Sequence, residues 1–131
     1  MTLAERMAEY TATLRFEDLD TATVHEVKRR LIDSLACACG AYRVSTVQVG
    51  RRVADRVTAL PGASFLGGTH PTSPELAAFV NGGLFRYLDY NDTYLSLEPA
   101  HPSDNFAAVL AAAEVGQAHG RDIITAVHSF P

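Results

Sequence analysis

Asp20-Thr21-Ala22-Thr23-Val24-His25-Glu26-Val27-Lys28-Arg29-Arg30-Leu31-Ile32-Asp33-Ser34-Leu35-Ala36-Cys37-Ala38-Cys39-Gly40 carries the fold class. Val24, Val27, Leu31, Leu35 and Ala38 recur at steps of three and four, the spacing that lines one face of an α-helix. Asp20 or Thr21 supplies an N-terminal cap and Gly40 a stop. On the N-terminal side, Leu3, Met7, Tyr10 and Leu14 keep the same period and give a first helix one apolar stripe. On the C-terminal side, Ser45 opens a third helix with Val49, Val53, Val57 and Leu60 along one side, ending at the breaker Pro61-Gly62. The expectation is a mostly α, all-helical chain.

Ala63-Ser64-Phe65-Leu66-Gly67-Gly68 is too brief for a helix and reads as one short extended segment, near residues 63–67. Ser73-Pro74-Glu75 then places a cap before a proline at the first helical position. The helix it opens is expected to bury Leu76, Phe79, Val80, Leu84, Tyr87 and Leu88. Gly82-Gly83 inside it costs about 2 kcal/mol against two alanines. Either something approaches the backbone closely there, or the helix breaks. Ser103 or Asp104 caps a further helix through Phe106, Val109, Leu110 and Ala113 to Gly120, and a last helical start at Arg121 stops at Pro131. There are no internal repeats and no linker.

Composition excludes several classes of function. With 11 Lys and Arg against 15 Asp and Glu, the net charge is −4, the wrong sign for tracking nucleic-acid phosphates. No apolar run reaches the roughly eighteen residues that a membrane span needs. The N-terminus interleaves charges like an amphipathic helix and unlike a signal peptide. Cys37 and Cys39 point to different sides of a helix and read as buried packing residues of a reducing, cytoplasmic setting. Lys28 is the only lysine, so the chain has almost no choice of catalytic lysine.

Periodicity collapses between Asp89 and Pro102. The run Asp89-Tyr90-Asn91-Asp92-Thr93-Tyr94-Leu95-Ser96-Leu97-Glu98-Pro99-Ala100-His101-Pro102-Ser103-Asp104-Asn105 gathers carboxylates, hydroxyls, amides and one imidazole between two strong helices. His101 immediately precedes a helix N-terminus whose free N–H groups suit an anion. Asp89, at the end of the preceding helix, is placed to orient or deprotonate. An acid and a base on either side of a bound carboxylic acid suffice for proton abstraction and loss of hydroxide. Plainer readings stand beside this one: Asp92-Thr93 as a turn, Ser103-Asp104 as a cap, Arg86 as an ion-pair partner of Asp89. Glu98 and His101 have a metal-binding Glu-x-x-His spacing, but that motif needs a continuous helix, which Pro99 and Pro102 oppose. Gly67-Gly68 lacks the spacing of a phosphate-cradling loop.

Three blocks in order, Ala77-Ala78-Phe79-Val80-Asn81-Gly82-Gly83, Leu88-Asp89-Tyr90-Asn91-Asp92-Thr93 and His101-Pro102-Ser103-Asp104-Asn105, resemble the N-terminal signature of the MmgE/PrpD family. Leu31-Ile32-Asp33-Ser34-Leu35-Ala36-Cys37 and Ala113-Glu114 with Gly120 extend the resemblance over roughly residues 3 to 127. The resemblance implies a large helical domain, a smaller α/β lid domain and a homodimer, acting on small di- or tricarboxylic acids without metal or organic cofactor. It implies that Asp89, Thr93 and His101 are catalytic and line the substrate pocket. Asn81, Asp92 and Ser103 are the substrate-binding candidates.

Eight positions separate Thr93 from His101, a loop closer to the 2-methylcitrate dehydratase branch than to the shorter one of cis-aconitate decarboxylase. The expected activity is therefore elimination of water from a methylcitrate-like acid, in propionate catabolism, with cis-aconitate decarboxylase or iminodisuccinate epimerase chemistry as sister alternatives. The resemblance also implies that residues 1–131 are a truncated N-terminal portion. The family's lysine, further histidines and lid come from later sequence, and His128-Ser129-Phe130-Pro131 departs from the family's glycine, tyrosine and glutamate. An inactive helical fragment or interaction module is the competing expectation.

Overall fold

The Asp20 carboxylate accepts the Thr23 N–H at 2.6 Å and starts the longest helix, α2, Thr21–Ala41. The computed structural model describes residues 1–129, so the expectations for Phe130 and Pro131 lie outside the described residues. Before α2 comes α1, Leu3–Thr13, opened by a reciprocal cap. Thr2 Oγ1 accepts the Glu5 N–H at 3.2 Å, and the Glu5 carboxylate accepts the Thr2 N–H at 2.7 Å. After α2 follow α3, Ser45–Ala54; α4, Pro74–Arg86; α5, Phe106–Val115; and α6, Gly120–Ser129. Short 3-10 turns occupy Phe16–Asp18 and Pro102–Asn105. The all-helical expectation holds. The extended segment contributes a single antiparallel pairing, Ala63 with Thr72, through hydrogen bonds of 2.9 and 3.0 Å.

Helix α4 is the centre of the packing, touching α2, α3 and α5. Its buried face is Ala77, Val80, Asn81, Leu84 and Phe85, a stripe at helical period. The expected face was rotated from this one. Val80 and Leu84 are buried, but Phe79 is 69% exposed, and Tyr87 and Leu88 are half-exposed at and beyond the helix end. The neighbouring helices decide that rotation, because α4 is apolar on more than one side. Helix α5 is apolar nearly all round but is covered on one side only: it buries Phe106, Ala107, Val109 and Ala111, and leaves Ala108 and Ala112 exposed.

Several boundaries differ from the sequence reading. Helix α3 ends at Ala54 and not at Leu60, because the Thr72 hydroxyl donates to the Ala54 carbonyl at 3.0 Å and the chain turns away to pair Ala63 with Thr72. Leu60 is left exposed. Gly40 does not stop α2. It lies inside the helix, where an added Cβ would sit 2.8 Å from a Leu88 methyl. Gly82-Gly83 does not break α4: Gly82 faces Ala107 of α5, and no contact in the structure accounts for Gly83. Gly120 opens α6 instead of closing α5, with the Asp122 carboxylate accepting the His119 N–H at 2.8 Å. Helix α1 packs against α6, but its stripe of Leu3, Met7 and Tyr10 remains exposed. Cys37 is buried as expected, whereas Cys39 is exposed. No helix among the described residues is long and apolar enough to cross a membrane.

Candidate functional site

The end of α4 feeds the site. Arg86 lies in its last turn, and three residues later Asp89 adopts a left-handed backbone, φ 51°, with its N–H returning to the Arg86 carbonyl at 3.0 Å. Aspartate tolerates that region better than most side chains. The turn lays the Asp89 carboxylate against the Arg86 guanidinium as an ion pair. Arg86, by hydrogen bond and charge, holds the Asp89 carboxyl below its ordinary range, with desolvation opposing and His101 adding the smallest contribution. The same guanidinium reaches Asn91 Oδ1 at 3.2 Å and Asp104 at 3.4 Å.

Asn91 is buried and joins the two ends of the irregular stretch. Its amide donates to Ser103 Oγ at 2.7 Å and to Asp104 Oδ1 at 3.2 Å. Asp92 repeats the join: Oδ1 accepts the Ser103 N–H at 3.1 Å, and Oδ2 pairs with Arg30 of α2. Between these joins the chain forms a hairpin closed by Tyr94 and Ala100, with reciprocal hydrogen bonds of 2.8 and 3.0 Å, and Leu95, Leu97 and Glu98 stand exposed at its tip. The hairpin returns His101 beside Asp92 and Thr93. His101 Nδ1 lies 2.7 Å from the Asp92 carbonyl and 3.4 Å from Thr93 Oγ1. A carbonyl only accepts, so Nδ1 carries the hydrogen, and Nε2 is the free, basic nitrogen.

Asp89, Asp92, Thr93, His101 and Ser103 are thus brought into one polar cluster around Arg86 and Arg30. Asn81 is not part of it. Its carbonyl oxygen accepts the Leu66 N–H at 2.9 Å and its amide donates to the Ser64 carbonyl at 3.1 Å, so it clamps the extended segment to α4. Ser103 does not cap a helix through its side chain, because its buried hydroxyl accepts from Asn91. The expected anion seat after His101 is taken from within: a four-residue 3-10 turn follows, and the Asp92 carboxylate occupies the Ser103 N–H. Glu98 lies in the hairpin and not on a helix, so the geometry that a Glu-x-x-His metal site requires is not met. Asp89 and Thr93 are exposed and His101 is half-buried, so the cluster is open at the surface.

Arg30 and Asn91 carry much of this geometry, and the sequence reading assigned neither a role. Arg30 is 62 positions from its partner Asp92. Its only local signal is an arginine beside the buried face of α2.

The family model for the MmgE/PrpD N-terminal domain matches residues 5–129. The chain belongs to the MmgE/PrpD family. Among curated relatives of this MmgE/PrpD chain, 2-methylcitrate dehydratase of Cupriavidus necator is 36% identical over 103 residues, covering 76% of this chain and 21% of the relative. The Escherichia coli (strain K12) protein of the same name is 38% identical over 90 residues, 64% of this chain and 18% of the relative. A probable 2-methylcitrate dehydratase of Saccharomyces cerevisiae is 34% identical over 84 residues, 63% and 16%. The matches span about a fifth of the length of these MmgE/PrpD relatives.

Proposed function

We propose that this chain carries the N-terminal part of the acid–base site of a 2-methylcitrate dehydratase-type lyase. The reaction is elimination of water from a small tricarboxylic acid without metal or organic cofactor. The observation that carries the reading is the orientation of His101: with Nδ1–H committed to the Asp92 carbonyl, Nε2 is free to take a proton from carbon. The C–H electron pair then forms the double bond as the C–O bond breaks, and the departing hydroxide takes up a proton from solvent to leave as water. Asp89, kept ionised beside Arg86, serves as orienting carboxylate or base and not as the acid. Thr93 Oγ1, on the same side as the imidazole, is a hydrogen-bond donor for a substrate oxygen. The names of the relatives support the substrate class.

The charges set a limit. Arg30 and Arg86 are already engaged by Asp92, Asp89 and Asp104, so the reading requires further cations for three substrate carboxylates. In this reading the 131 residues are the first portion of a helical domain that works with a lid as a homodimer, and they do not turn over alone. The test uses 2-methylcitrate and the ultraviolet absorbance of the conjugated alkene product. The isolated chain is expected to be silent. In a full-length relative, substitution of the histidine equivalent to His101 by alanine should lower turnover by about 10²- to 10⁴-fold. Unchanged turnover there removes the site assignment. A product lacking carbon dioxide loss, with water eliminated, separates this reading from a decarboxylase.

A further inference from the structure

The Asp92 carbonyl orients His101, but a main-chain carbonyl in an irregular stretch holds a ring only if something holds the carbonyl. That support comes from α2. Glu26 accepts Arg30 Nε at 2.8 Å and draws the guanidinium along the helix surface, and Arg30 Nη1 pairs with Asp92 Oδ2. The other carboxylate oxygen takes the Ser103 N–H at 3.1 Å, two residues beyond the imidazole. The Asp92 side chain is only 13% exposed and that of Arg30 26%, so this pair is shielded more than the other ion pairs among the described residues. Residue 92 is therefore tied by its side chain to a helix and to the Ser103 turn, and by its main chain to the ring.

We infer that Arg30 is a positioning residue: through the Asp92 carboxylate it fixes the Asp92 carbonyl and so holds His101 in the Nδ1–H form with Nε2 bare. The inference deepens the reading of His101 as a base, but its test involves no substrate and so stands or falls separately from the lyase assignment.

The experiment is a nitrogen-15 correlation spectrum of the histidine-labelled 131-residue chain, recorded above the imidazole titration, where protonated and bare ring nitrogens are distinguished. In the unsubstituted protein His101 is expected as predominantly Nδ1–H. Arg30→Met should lower the ratio of Nδ1–H to Nε2–H by about fivefold, the share that one hydrogen bond's net contribution carries. Asp92→Asn keeps the carbonyl and the shape, loses the charge, and should shift the ratio in the same direction. Arg30→Lys, which can still reach Asp92, should restore most of the original ratio. Arg29→Met removes the other Glu26 partner, does not touch Asp92, and should leave the ratio alone. Circular dichroism establishes that each variant is folded. If Arg30→Met does not fold, Asp92→Asn decides. An unaltered ratio in the folded variants, or an equal shift in Arg29→Met, overturns the inference.

Discussion

Nδ1 of His101 donates to the main-chain carbonyl of Asp92 at 2.7 Å, across nine positions of sequence. That one bond orients the imidazole of a loop histidine, because it decides which nitrogen is protonated. The bond exists only because the Tyr94–Ala100 hairpin folds the chain back on itself and because Asn91 and Asp92 are both fastened to the Ser103–Asp104 turn. The site is thus assembled by polar contacts at the ends of a loop whose middle is exposed.

Asn81 has a structural task, and its removal should show it. Asn81→Ala leaves the Leu66 N–H and the Ser64 carbonyl without partners beside the buried Phe65. The expected loss is about 1–3 kcal/mol of unfolding free energy, read from a urea titration. The His101 tautomer ratio should not move in the folded protein. A shift there would tie Asn81 to the site after all.

Gly67 is the position where glycine is required by conformation. Its φ is +83°, and an added Cβ would fall 2.3 Å from the Tyr42 hydroxyl and 2.4 Å from Arg51 Nη2, which also donates to the Gly67 carbonyl at 2.9 Å. Gly67→Ala should therefore destabilise by more than about 1 kcal/mol, although alanine lowers the entropy of the unfolded chain. An equal or higher thermal midpoint for the variant would show that the loop moves aside freely.

Glu26 makes part of the stability depend on pH. Hydrogen bonds from Arg29 and then Arg30 hold its carboxyl at about 2, against an ordinary 4.5. The folded value lies below the unfolded one. The contribution is therefore complete above about pH 4.5 and is lost as the pH falls toward 2. Because the group is exposed, solvent and salt screen the effect. Urea midpoints of the protein and of Glu26→Gln should differ at neutral pH and converge across that window. A separation that stays constant down to pH 2 would rule the ion pairs out as its source.

How far the sequence reached can be seen residue by residue. The cap at Asp20, the proline start of α4 and the extended segment at 63–67 are local, and local signals found them. The face of α4 was misjudged at Phe79, Tyr87 and Leu88 because a helix apolar on several sides has no preferred rotation of its own. Helix α3 was drawn too long because Thr72, which takes its last carbonyl, is 18 positions away. The end of α5 differs from the expectation because two glycines stand near it: Gly116 caps α5, and Gly120 opens α6.

By itself the sequence determined the all-helical class, the family and the polar stretch that holds the candidate site, since periodicity, breakers and ordered short blocks are properties of neighbouring residues. Only the tertiary structure decided which of those polar groups meet. It joined Arg30 to Asp92 across 62 positions, turned Asn81 away to the 64–66 segment, and filled the anion seat at Ser103 with the protein's own aspartate. The physical reason is that a charged hydrogen bond is strong only at contact distance. Contact between residues far apart in the chain is set by how the helices pack.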